Sequence, residues 1–505
     1  MRWFAAISCF LLCAHSAGAQ SFPLPSAPQP KRIGETNSPA SALYLLDDGG
    51  IGSADGMKPQ DTEQEPAPES TPTSSSEAVT IFPHPVNTRY YLGGQANSIG
   101  QVNDRFHSPY AGPNSLLPAI EPKVSFVGTF YSAIQPHRNV RYNTDLIFDA
   151  ESAAGRGISQ ALGLAGFTNL DVVRNPNLGS APYIARGEIH QTIGLTNEMT
   201  DADRTPQSLA TKVPVRRFEF RVGKMTLPDL FDINPVGSDS HLQFTNWTVD
   251  NNGAWDYAAD TRGYTFAAVL EYDDRNWSAR YAFAAMPTVA NGIDLDWAFS
   301  RANAQNMEFE LDKSFIPGRH GATRILSFVN KAHMGIYKDA INNYLEGVTQ
   351  TPEIAYNAPF GTVKYGFGWN NWQELTANLR IFSRFGWNEG KHESFAYTED
   401  DQTFSFGGDY NLSRWHQPDD KFGVAFVSNA IKKYHQTYLA YGGLGFLLGD
   451  GRLNYGRENI VEAYYTHHLY TGLFVSAGLS HINDPGYNRD RGPVWVPSVR
   501  AHVDF

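Results

Sequence analysis

From about residue 88 to the C-terminus the chain alternates apolar and polar residues with period two, again and again. Ala185, Gly187, Ile189 and Ile193 interleave with Arg186, Glu188, His190 and Thr192. Trp277, Ala279, Tyr281 and Phe283 interleave with Ser278, Arg280 and Ala282, and Met307, Phe309 and Leu311 with Glu308, Glu310 and Asp312. Leu375, Ala377, Leu379 and Ile381 alternate in the same way with Thr376, Asn378 and Arg380. Successive side chains of a strand leave opposite faces, so each such stretch predicts a strand with one apolar and one polar side. Two architectures satisfy this. A soluble sandwich or propeller turns the apolar face to a core, whereas a membrane barrel turns it to lipid and encloses water with the polar face.

Composition favours the barrel. Charged residues make up only 18% of the chain and aromatics 13%, with 45 Gly, yet the mean hydropathy is −0.38. Later segments hold no unbroken apolar run of the length a spanning helix needs; Ala440 to Leu448, for example, is interrupted by glycines. The net charge of −12 argues against nucleic acid as a partner, because neutralising phosphates needs a basic excess.

The N-terminus reads as a secretory signal, residues 1–19. Arg2 supplies the charged region, Trp3 to Ala14 the apolar core, and Ala17-Gly18-Ala19 the cleavage site. Both cysteines, Cys9 and Cys13, fall inside it, so the mature chain would carry neither a disulfide nor a thiolate metal site. Residues 20–87 are Pro/Ser-rich, most strongly from Asp61 to Glu77, and read as a disordered periplasmic extension. Residues 88–505 form the barrel. At about ten residues per spanning strand they predict an all-β, antiparallel transmembrane barrel of about 16 strands (16–18), wide enough for an aqueous channel.

Aromatic residues cluster at strand ends, as interface belts require: Tyr90-Tyr91, Phe130-Tyr131, Trp369 with Trp372, Trp387, Tyr464-Tyr465, Tyr470 and Trp495. On the last strand, Val499, Ala501, Val503 and Phe505 face one way and Val496, Ser498, Arg500, His502 and Asp504 the other. A terminal outward aromatic resembles the C-terminal signal of outer-membrane barrels, which makes the assembly machinery an expected partner of the Phe505 strand.

The closing segment is more specific still. Asn483-Asp-Pro-Gly-Tyr-Asn-Arg-Asp-Arg-Gly-Pro-Val494 and Arg500-Ala-His502-Val-Asp-Phe505 resemble the closing signature of the OprB-type carbohydrate-selective porins. Arg221-Val-Gly-Lys-Met225 followed by Phe231-Asp232, Gly253-Ala-Trp-Asp-Tyr257, Asp260-Thr-Arg-Gly-Tyr264 and Tyr455-Gly-Arg-Glu-Asn-Ile-Val-Glu462 also fit. Phe106-His-Ser-Pro-Tyr-Ala-Gly-Pro-Asn-Ser115 is similar to a variant subgroup. The departures are Asp484, where Asn usually precedes the proline, and the long N-terminal extension. The resemblance implies a sixteen-stranded, monomeric outer-membrane barrel, in contact with outer-membrane lipid, that passes small carbohydrates by diffusion.

A sugar is neutral, rich in hydroxyls and flanked by apolar C–H faces. Selecting it calls for weak donors and acceptors along a lumen, with charges of both signs so that ions are not favoured. Inward charges of mid-barrel strands are therefore the candidate pore-lining residues: Arg186, Glu188, His190, Arg221, Glu308, Glu310, Arg380, Arg384 and Glu462. Trp247, Trp255 and Trp387 are candidate sugar-stacking rings. Arg500, His502 and Phe505 belong to the closing strand, where barrel closure competes with solute contact.

Enzyme readings find little support. The chain lacks His-Glu-x-x-His and a Gly-x-Ser-x-Gly elbow. No cofactor or metal is expected, since the loop acids Asp229, Asp232, Asp294 and Asp296 lack calcium-loop spacing. Glu308 and Glu310, about 7 Å apart on one strand face, match the carboxylate spacing of inverting glycosidases. A secreted β-rich glycan-active enzyme or lectin therefore remains an alternative, as does a barrel for another small solute.

Overall fold

The computed structural model describes residues 80–139, 141–174, 178–415 and 417–505. The expected signal sequence and most of the expected extension lie outside these residues. The strands, in chain order, begin with β1 (Tyr90–Asn103), β2 (Glu121–Arg138), β3 (Tyr142–Gly155), β4 (Tyr183–Gly194), β5 (Met199–Asp201), β6 (Lys212–Pro214) and β7 (Arg217–Met225). There follow β8 (Thr265–Asp274), β9 (Trp277–Ala284), β10 (Met286–Pro287), β11 (Leu295–Asp296), β12 (Asn303–Asp312), β13 (Gly321–Ala332) and β14 (Thr362–Glu374). The last six are β15 (Leu379–Asn388), β16 (Gln402–Asn411), β17 (Lys421–Ala430), β18 (Glu458–Tyr470), β19 (Leu473–Asn483) and β20 (Val494–Asp504).

Sixteen of these close into one antiparallel barrel, while β5–β6 and β10–β11 form separate two-stranded sheets in its connections. Closure is made by β1 against β20, with Gln95 opposite Asp504 and Gln101 opposite Ser498. Phe505 seals this seam. Its backbone exchanges hydrogen bonds of 2.7 and 2.9 Å with Gly94, and its ring lies so close over Gly94 that a Cβ there would sit 2.8 Å from ring carbons.

Alternation translates directly into two faces. Leu92 (56% exposed) and Val499 (61%) point outward, whereas Asn97, Asn370 and Arg384 on the other parity are at most 2% exposed. Adjacent aromatic pairs split accordingly. Tyr90 and Phe130 face out while their neighbours Tyr91 and Tyr131 face in, and Trp369 faces out while Trp372, three residues on, faces in. One expected strand start moves: residues 375–378 form a turn, and β15 begins at Leu379. The Thr376 hydroxyl accepts from the Asn378 and Leu379 amides, a local bond that competes with the ladder.

Both described chain ends, the β2–β3 connection and the short turns at 275–276, 375–378 and 471–472 share one rim. The opposite rim carries 104–120, 156–182, 226–264, 333–361 and 431–457, which among the described residues hold the α-helices α1 (Trp247–Asp250), α2 (Tyr337–Leu345) and α3 (Lys433–Ala440). Short turns mark the periplasmic rim and long loops the extracellular one.

Candidate solute pathway

Two long loops turn into the barrel instead of out to solvent. Residues 226–264 carry an apolar core of their own, with Leu227, Phe231, Val236, Phe244, Val249 and Trp255 all fully buried. Such a segment must hide this surface, and the lumen is the enclosed volume beside it. Its backbone polar groups are met by side chains from the wall. Glu462 of β18 accepts from the Thr245 amide and hydroxyl and from the Asn246 amide. Glu308 of β12 accepts from the Asp232 amide at 2.7 Å.

Arg384 of β15, with no exposed surface, donates to the carbonyls of Val249 and Asp232 and to the Ser238 hydroxyl. It also pairs with the Asp232 carboxylate at 3.1 Å. Arg500 of β20 donates to the Ser240 carbonyl at 2.5 Å. Asn246 caps α1 by accepting from Thr248 at 3.0 Å. Asp250, which ends α1, has a buried carboxyl pushed up to about 8 by that burial, against the pull of Arg384.

The second infolded loop, 156–182, lies against β1, β2 and β18. Gln101 donates to the Thr168 carbonyl and Asn97 to Asp171, both at 2.6 Å. Glu458 accepts from the Ala165 and Gly166 amides. Asp171 faces His241 of the first loop at 3.4 Å. Burial alone would lower that imidazole, but the Asp171 charge overrides it and holds His241 at about 8.

On the β3–β4–β7 side the inward residues Asp145, Asp149, Arg186, Glu188, His190 and Arg221 are themselves buried. Along that side charges alternate. Arg186 reaches Asp149 at 3.2 Å on its neighbour strand and Asp229 of the infolded loop at 2.6 Å, so Asp229 and Arg186 bridge loop and wall. Glu188 pairs with Arg221 at 2.8 Å. His190 lies 2.9 Å from Glu219 and 3.5 Å from Asp145. Towards the extracellular rim, Glu151 accepts from the Tyr264 hydroxyl at 3.1 Å and from the Tyr183 hydroxyl, and Arg262 stacks 3.8 Å from the Tyr183 ring.

A cavity of about 250 Å³ opens on the extracellular side, lined by Arg156, Gln160, Asp171, Tyr183 and Arg262 among others. A larger one of about 670 Å³ opens at the periplasmic end, lined by Arg217, Glu271, Asp273, Arg280, Glu310 and Asp312 with the β5–β6 stem.

The sequence candidates divide into groups. Arg186, Glu188, His190 and Arg221 share the inward face of β4 and β7. Glu308 and Glu310 join Arg280, at 2.7 and 2.9 Å, and Glu310 also meets Arg324. Arg380 pairs across β15–β16 with Asp409. Arg384, Glu462 and Arg500 anchor the infolded loop. His502 stacks on His241 with centroids 5.1 Å apart.

Trp247 and Trp255 are enclosed within the loop core, their indole N–H groups bonded to Asn169 and Asn306. Trp387 is a correction. It shares the outward parity of Ile381 and Phe385 and stacks on Phe367 at 5.6 Å, so it is no lumen ring. Sequence reasoning missed Arg280, although its alternation with Ser278 and Ala282 marked it as inward. It also missed Glu151 and Tyr183, which meet the pathway only through tertiary contact.

A closed sixteen-stranded barrel with an apolar exterior, a charged lumen and infolded loops defines an outer-membrane channel of the porin class. The model of the carbohydrate-selective porin, OprB family, matches residues 139–505, and the chain belongs to that family. Among solved structures, Pseudomonas putida OprB at high pH superposes with a TM-score of 0.63 at 13% identity, covering 82% of this chain and 94% of that one. At that identity the likeness establishes the fold alone. The low-pH form of the same protein (TM-score 0.44, 10% identity, covering 82% and 92%) and the outer membrane channel DcaP of Acinetobacter baumannii (0.46, 6%, covering 82% and 97%) also match. The comparison with curated proteins matched none.

Proposed function

We propose that this porin passes small carbohydrates past the charged cluster that β3, β4 and β7 share with Asp229 of the loop 226–264. The supporting observation is the Asp149–Arg186–Asp229 bridge, flanked by Glu188–Arg221 on one side and the Tyr183–Glu151–Tyr264 cluster on the other. Guanidinium forks donate, carboxylates accept and phenol hydroxyls do both, so a sugar can exchange part of its water shell for wall contacts at each step. Pairing each charge with its opposite keeps the local field weak, which suits a neutral solute. Weak, repeated contacts let the solute leave as readily as it enters.

The chain is exported by cleavage of residues 1–19, works as a monomer, and presents its Phe505 strand to the assembly machinery. The test is sugar block of single-channel current. Arg186→Ala and Glu188→Ala should each weaken block by glucose while leaving a folded, conducting barrel. Unchanged block in both would remove this cluster from the sugar path.

A further inference from the structure

Most described periplasmic connections in this barrel are short. Residues 195–216 join β4 to β7 and, among the described residues, are the one connection at this rim with strands of their own, β5 and β6. The hairpin is tightly made. Ala202 donates to the Thr211 carbonyl at 2.9 Å, and Thr205 and Ser208 exchange backbone bonds of 2.8 and 3.2 Å. Its tip turns into the lumen rather than out into the periplasm.

Three strands hold the tip there. The Leu209 amide donates to Asp145 of β3 at 3.2 Å, and Arg221 of β7 donates to the Gln207 carbonyl at 3.2 Å. Arg204 donates to the carbonyls of Thr88, Tyr90 and Leu209 and to the Thr88 hydroxyl, tying the hairpin to the entry of β1. The Leu209 side chain, with no exposed surface, packs on Tyr91, Ala133 and Ile147. Those three occupy inward positions of β1, β2 and β3. Apolar side chains facing a water-filled lumen would be costly, and Leu209 removes them from water. On its other side the hairpin stem, through Glu198, Met199, Thr200 and Val215, walls the 670 Å³ periplasmic cavity.

We propose that the hairpin tip, residues 202–211, is a constriction that closes the β1–β3 side of the periplasmic exit and sets the size limit for solutes leaving the channel. Arg204 and Leu209 are its positioning residues. The proposal rests on the reading of the chain as a channel but not on its preference for sugars, so its test uses neutral polymers.

Purified protein in planar bilayers is probed with polyethylene glycols of graded size added to one side at a time. In Arg204→Ala/Leu209→Ser the cut-off measured from the periplasmic side should rise, and conductance with it, as lumen covered by the tip is restored. The extracellular cut-off should stay as it was. An unchanged periplasmic cut-off in a variant that keeps heat-modifiable gel mobility overturns the proposal.

Ser208→Cys supplies an independent check in a mature chain otherwise free of cysteine. Its side chain is half-buried at the tip. Coupling a bulky methanethiosulfonate reagent there should lower conductance, and a reductant should restore it. No change on labelling would place the tip outside the path and overturn the constriction. Absence of any ohmic conductance from folded wild-type protein would sink the channel reading itself, and this inference with it.

Discussion

Arg384→Ala tests whether wall charges hold the infolded loop. The guanidinium has no exposed surface; it makes three hydrogen bonds to residues 232–249 and an ion pair of 3.1 Å to Asp232. Removing one partner of a buried pair costs about 3–5 kcal/mol, because the other charge stays desolvated. Here Asp232 keeps the Asn252 amide at 2.8 Å and the Asn370 side chain at 2.9 Å, which favours the lower end. At about 1.4 kcal/mol per tenfold, the undocked fraction of this segment should rise at least about 100-fold.

Glu462, Glu308 and Arg500 still grip the loop elsewhere, and the barrel ladder does not involve the side chain of Arg384. The expected outcome is a folded, heat-modifiable barrel with raised open-channel noise and new conductance levels. Arg384→Lys, which keeps the charge but not the fork, should fall between. An Arg384→Ala channel as quiet as wild type, with the same conductance, would refute the anchoring argument.

The periplasmic cavity is lined by six carboxylates, Glu198, Glu271, Asp273, Asp274, Glu310 and Asp312, against the arginines 217, 275 and 280. Reversal potentials in a salt gradient should therefore show modest cation preference, and Glu271→Gln with Asp274→Asn should reduce it; anion preference in the wild type would contradict this. On the extracellular side, His435 of α3 lies 3.4 Å from Asp401 and 3.7 Å from Glu399 and stacks on Tyr337 of α2. Burial pulls its imidazole down, but hydrogen bonds to the two acids raise it to about 9. A raised folded-state value means the tie is fully present below the ordinary value of 6.5 and lost as pH climbs through about 9. Gating noise should grow across that range and His435→Gln should abolish the pH dependence; noise that instead grows on acidification would reverse the sign.

Much of this architecture was legible in the residues themselves. Period two gives each side chain a face, and the last strand's pattern placed Val499 outward, where it lies. Parity carried from Leu379 would also have placed Trp387 outside, since the residues at 381, 383, 385 and 387 share one side. What alternation cannot reveal is what stands opposite an inward side chain. Arg186 and Arg384 look alike in sequence, both inward arginines of a spanning strand. Arg186 meets the loop 226–264 through Asp229, while Arg384 is fully enclosed by that loop, whose residues lie more than 130 positions earlier in the chain. A signal for that loop was present: Leu227, Phe231, Val236, Phe244 and Trp255 are apolar residues without strand alternation, in a connection too apolar to sit in water. The hairpin tip at Leu209 left a fainter trace, its counterparts being the apolar inward positions Tyr91, Ala133 and Ile147.

The most direct measurement is flux through purified protein reconstituted in liposomes, followed by osmotic swelling. The account predicts that glucose and other small neutral sugars enter faster than size-matched charged or non-sugar solutes. Equal rates for all solutes of one size would contradict it.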